Sequence, residues 1–242
     1  MGIAIVLIVL VAVAVGAIFV SRAQAAARQR QLEDTKAETR RWVERLGGQV
    51  LQLVGTNEAS KQALADASER YHAAGSQLEQ AATAEQAELA RETALEGLYY
   101  IRAARIAMDL DPGPALPGDE ERAKAGAVTE HRRVEVDGQT YEASPQPGEN
   151  TPHYYPGGEV AGRPVPQGWY STPWWKPALI GGAWGLGAAV VVGGLFAGMA
   201  GGANAGAWAD GYAAGHHDGA DSGYAGFDAH DAVSADYSDF DY

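Results

Sequence analysis

The sequence predicts a mainly α fold with two transmembrane helices. Three observations carry that expectation: an uncharged apolar run over residues 2–20, a second over about 179–200, and a proline-free stretch rich in Ala, Gln, Glu, Leu and Arg between residues 22 and 110. The expected order is transmembrane helix 1 over 1–21, a cytoplasmic helical hairpin or short coiled coil over 22–111, and a Pro-rich linker with one β-hairpin over 112–177. A Gly-rich transmembrane helix 2 over 178–206 and a disordered acidic tail over 207–242 complete it.

The first run carries no charge and matches the length that crosses a hydrocarbon layer of ~30 Å. A cleaved signal peptide ending near Ala23-Gln24-Ala25 is the rival, but no Lys or Arg precedes the run and its apolar part exceeds the usual core of ~7–15 residues. Arg22, Arg28, Arg30, Lys36, Arg40, Arg41 and Arg45 follow it, so the basic-side rule puts residues 22–177 in the cytoplasm and the amino end outside.

Trp42, Leu46, Val50 and Leu53 then share one helix face, and Gly55-Thr56-Asn57 reads as a stop and a new N-cap. Leu64, Ala67, Tyr71, Ala74, Leu78 and Ala81 alternate spacings of three and four, a thin seam for a neighbouring helix. Gly75 and the capping-box pattern Ser76 to Glu79 predict a bend or restart there. Leu95, Leu98, Ile101 and Met108 mark the last helix, which has to end by Asp111 because Pro112 and Pro114 follow.

All 11 prolines lie between Pro112 and Pro177, so that stretch reads mostly as linker. Its exception is about 132–143, where alternating residues flank Asp137-Gly138, a strong hairpin signal. Trp169, Trp174, Trp175 and Lys176 precede the second apolar run and read as interfacial anchors. Lys176 and Arg163 before that run, with only aspartates after it, put the carboxyl end outside as well, so both termini are expected outside a plasma membrane crossed twice.

Gly194, Gly198, Gly202 and Gly206 repeat every fourth residue, with Gly181 and Gly185 as a second pair. Such stripes let helix backbones approach closely, which points to helix association; an unspecialised Gly/Ala-rich helix is the plain alternative. The period continues into a tail holding eight aspartates and no Lys or Arg from Asp210 onward. His216, His217, Asp218, His230 and Asp231 there are weak candidates for a metal, but their spacing fits no defined site and a solvated low-complexity tail is the expected reading.

The net charge of -13 and the lack of a basic stripe outside the flank of the first apolar run argue against nucleic acid as a partner. With no cysteine there is no thiolate nucleophile and no Cys-ligated metal. His72, His131 and His153 are scattered, and no phosphate loop, nucleophile elbow or zinc-protease helix is present, so no enzyme, catalytic residue or cofactor is expected.

The stretches RWVERLGG (41–48), ALADASER (63–70), GLYYIRAAR (97–105), DPGPALP (111–117), GRPVPQGWYS (162–171) and PWWK (173–176) resemble an uncharacterised family of actinobacterial membrane proteins. The resemblance spans most of the chain. It implies the same anchor, helical region, linker and Gly-rich segment, and brings no activity to carry over. The expected function is a membrane-anchored scaffold or assembly protein, with the lipid bilayer, further copies of itself or other membrane and cytoplasmic proteins as partners. A holin-like pore, or cation binding by the tail, are the alternatives.

Overall fold

A computed structural model describes residues 2–136, 138–160, 162–176, 191 and 193–196; of residues 2–9 and 11–15 it describes the backbone alone. Three helices come first: α1 (Gly2–Gln52), α2 (Glu58–Gln80) and α3 (Ala84–Ala107). The short α4 (Asp119–Ala123) leads to six strands, β1 (Arg132–Val136), β2 (Gln139–Ser144), β3 (His153–Tyr155), β4 (Gly158–Val160), β5 (Arg163–Val165) and β6 (Gly168–Tyr170).

The bundle is built on small residues. Ala63, Ala67 and Ala74 of α2 and Ala87, Ala90, Ala94, Ala103 and Ala104 of α3 are all fully buried, so the helices approach without long side chains between them. Glycines sharpen the contact: a Cβ on Gly97 would lie 2.4 Å from Leu46 Cδ2, and one on Gly47 2.7 Å from Tyr71 Cε2. The expected seam on α2 is buried at Ala67, Ala74 and Leu78 and ends at Ala81.

Helix ends follow capping chemistry. Asn57 caps α2, its side chain accepting from Ser60 N while Ser60 Oγ accepts from Asn57 N. Gly75 does not break α2, which continues to Gln80; the break falls at residues 81–83, where Thr83 Oγ1 accepts from Gln86 N and Gln86 Oε1 from Ala82 N.

The proline-rich stretch is folded rather than a plain linker. A four-stranded antiparallel sheet runs β1-β2-β6-β3, and β4 pairs with β5 in a separate ribbon. The expected hairpin is its first pair, with Val136 opposite Gln139 and Gly138 at φ +76°; Asp137 lies outside the described residues. Strand alternation sorts neighbours to opposite faces. Tyr154 and Trp169 pair across β3 and β6 and join the helical core, while Tyr155 and Tyr170 join Trp175, Val160 and Val165 in a second core.

Among the described residues no helix is long and apolar enough to cross a membrane. This overturns the fold class with two transmembrane helices and, with it, the twice-crossed plasma membrane, the cytoplasmic placement of 22–177 and the outside placement of both termini. The first apolar run is not a separate span but the opening of the 51-residue α1, which continues unbroken through charged turns to Gln52. The described part of the second run is held by protein: Val191 is 1 % and Leu195 0 % exposed, both in the core that contains Tyr170 and Trp175. The observed class is a three-helix bundle combined with a small antiparallel sheet.

Candidate functional site

Helix α1 has two parts with different surroundings. From Leu32 onward it belongs to the bundle: Leu32, Val43 and Leu46 are buried, and the fully buried Thr39 donates from Oγ1 to the carbonyl of Ala87 at 3.0 Å. That bond ties α1 to α3 across 48 residues of sequence. Before Leu32 every side chain described is exposed. At a rise of ~1.5 Å per residue the helix extends about 45 Å beyond the bundle.

The large apolar side chains described in the outer part are exposed. Leu10 is 59 %, Ile18 52 %, Phe19 70 % and Val20 57 % exposed, a concentration of large apolar side chains of the kind that marks an interaction surface. Residues 2–20 hold no charge, and between there and Glu33 the chain has only Arg22, Arg28 and Arg30. A helix this long without a packing partner is marginal in water, since most helical stability in proteins comes from the packed face.

The segment that follows β6 is fastened to α2 by charge. Asp66 of α2 is 4 % exposed and accepts from Lys176 Nζ at 2.8 Å, with Glu69 at 3.5 Å from the same nitrogen. Burial opposes the Lys176 charge, but the hydrogen bond to Asp66 and the fields of Asp66 and Glu69 outweigh it and leave its pKa raised. Glu96 of α3, with its side chain 20 % exposed and 3.6 Å from Arg70, is raised above the usual carboxylate range by burial, which Arg70 only partly offsets. Burial also lifts the Tyr100 hydroxyl beside Glu96 well above its ordinary value, and lowers that of His153.

The residues expected to carry function are placed as follows. Trp169 and Trp175 are buried at 2 % and 1 %, Trp174 packs on Tyr170 with ring centroids 5.8 Å apart, and Lys176 is in the ionic cluster, so all four are structural parts of the bundle–sheet junction. Gly194 is where the chain's helical residues close on the sheet: a Cβ there would lie 2.6 Å from Val134 Cγ2 of β1. Gly181, Gly185, Gly198, Gly202 and Gly206 lie outside the described residues, as do His216, His217, Asp218, His230 and Asp231 and the whole acidic tail. His131 and Glu142, 11 residues apart, meet at 3.1 Å across the β1–β2 hairpin. Among the described residues no group of three or more His, Asp or Glu could hold a metal ion.

Sequence reasoning missed Asp66, Glu69 and Glu96. Asp66 sits one residue before Ala67 of the seam, and a carboxylate beside a buried heptad position is the signal that marks it. No family model, no curated protein and no solved structure matches the chain.

Proposed function

We propose that this chain is a homotypic assembly module that pairs through the outer part of α1, the bundle and sheet serving as the body the arm displays. The observation that carries the reading is the exposure of Leu10, Ile18, Phe19 and Val20 on a helix that leaves the bundle at Leu32. Fully covering one such side chain is worth roughly 1.5–3 kcal/mol, so a handful per copy supports a stable pair.

Charge selects the orientation. A parallel pair would set Arg22, Arg28 and Arg30 of one copy beside the same residues of the other, with no acidic residue before Glu33 to compensate. An antiparallel pair overlaps the uncharged residues 2–20 and keeps even the nearest arginines, the two copies of Arg22, about 33 Å apart along the axis, well beyond a Debye length of ~10 Å at 0.1 M salt. The partner is therefore a second copy in antiparallel register.

The absence of native cysteine makes the test direct. The full chain is expected to sediment as a dimer and Phe19→Asp as a monomer with an unchanged melting temperature. Leu10→Cys, near the centre of the overlap, crosslinks through a short bismaleimide, whereas Ser21→Cys does not. A monomer at every concentration sinks the assembly reading; efficient Ser21→Cys crosslinking overturns the antiparallel register.

A further inference from the structure

A cavity of about 150 Å³ lies between α1, α3 and the loop that follows α3, and its chemistry is independent of the assembly arm. Three arginines line it: Arg45 from α1, and Arg102 and Arg105 from α3. No carboxylate is among its lining residues. Arg102 is bound at 3.0 Å to both oxygens of Asp119, which is not in the lining. Arg45 and Arg105, by contrast, have no ion-pair partner among the described residues.

The two unpaired guanidinium groups are nonetheless held in place. Arg45 lies 5.4 Å over the ring of Trp42, and Arg105 donates from Nε to the carbonyl of Asp111 at 2.5 Å and reaches Gln49 Oε1 at 3.4 Å. Guanidinium groups without an ion-pair partner in a concave site focus positive potential and suit a planar two-oxygen anion. The floor is apolar, made by the buried Leu98, Ile101 and Leu116.

Phosphate fits this lining poorly. Arginine pairs phosphate as well as carboxylate, but a third anionic oxygen would need a further donor, and the two loop amides in the lining are taken: Gly113 N donates to Asp111 Oδ1 at 2.7 Å and Leu116 N to Asp119 Oδ2 at 3.0 Å. The volume equals that of about five waters, room for one carboxylate and a short apolar body and too small for a nucleotide.

We propose that this cavity binds the carboxylate of a small organic acid, Arg45 and Arg105 gripping the oxygens and Leu98, Ile101 and Leu116 receiving the hydrocarbon. Calorimetric titration of the full chain with isovalerate, isovaleramide and inorganic phosphate tests it. Isovalerate is expected to bind, with the neutral amide and phosphate weaker by about tenfold or more, the scale of a charge-assisted hydrogen bond. Arg45→Gln and Arg105→Gln are each expected to weaken isovalerate by about tenfold. Arg28→Gln, on the exposed arm, is expected to change nothing.

Arg45 is itself exposed, so Arg45→Gln keeps the fold, which a melting curve verifies. Isovaleramide binding as tightly as isovalerate, phosphate matching it, no heat beyond dilution, or Arg45→Gln and Arg105→Gln both binding like the unaltered chain would each overturn the assignment.

Discussion

Gly97 and Gly75 are chemically identical residues in the middle of adjacent helices, and their surroundings give opposite predictions. Alanine at Gly97 would press on Leu46, which is 0 % exposed and cannot withdraw, and on Arg70 Cβ at 3.1 Å. Overpacking of this kind costs about 1–3 kcal/mol, so Gly97→Ala is expected to lower the urea midpoint. A Cβ at Gly75 meets nothing within 4 Å. Gly75→Ala only relieves the entropic penalty of glycine in a helix and is expected to stabilise by about 0.5–1 kcal/mol in the same assay. The sequence shows both as glycine in a helical stretch; only the neighbour across the interface, 51 residues away from Gly97 at Leu46, separates them. The same distance hides the arginine cavity, because Arg45 and Arg105 share no sequence spacing that a motif could capture.

Glu96 gives a pH dependence with a definite sign. Its pKa in the folded chain is raised, with burial as the first cause, so the folded state holds this proton more tightly than the unfolded one. Its favourable contribution is present below the unfolded value, near 4.3, and is lost as pH rises through the folded value. Glu96→Gln is therefore expected to raise the melting temperature at pH 7 and to give no gain below about pH 4, with Arg70 keeping Glu69 at 3.1 Å as its partner.

At the scale of elements, the helices were far more legible than the strands. Gly55-Thr56-Asn57 announced the end of α1 and the cap of α2 because capping is local chemistry. The α2–α3 break falls later than Gly75 predicts, because burial of Ala74 and Leu78 carries the helix past it. The pattern Thr83 to Gln86 was the local signal for the true boundary. Strands β3 to β6 have three residues each, between prolines and glycines, and their register is set by long-range partners. Only the Asp137-Gly138 hairpin has a turn that names itself. Trp169, Trp174 and Trp175 were ambiguous for a physical reason: aromatic residues beside a Lys have the same composition at a lipid interface as around a protein core with a buried ion pair. Lys176 decides between them by reaching Asp66 at 2.8 Å, joining the segment after β6 to α2. Lys176→Met leaves a buried carboxylate without its cation and is expected to cost about 3 kcal/mol, and a double-mutant cycle with Asp66→Asn should recover much of that loss.

For the whole molecule, composition pointed to a membrane because the apolar residues were counted along the chain and not by what they touch. The described portion of the second run is buried in the core of Tyr170 and Trp175; the described side chains of the first are exposed, on a helix that leads straight into a bundle. Since the buried residues of α1 begin at Leu32, deleting residues 1–28 is expected to leave the free energy of urea unfolding within about 0.5 kcal/mol of the full chain while abolishing the dimer. A fall of several kcal/mol would show instead that the arm packs on its own body.

The continuity of α1 from the free apolar end to Thr39 and Leu46 sets a length as well as a surface. With residues 2–20 overlapped in antiparallel, the two copies of Leu32 stand about 63 Å apart along one helical axis, with no hinge proline between them. The pair would act as a strut of fixed gauge, holding two bundle-and-sheet bodies at a set distance, and small-angle scattering of the dimer should show that spacing as a second maximum in its distribution of interatomic distances.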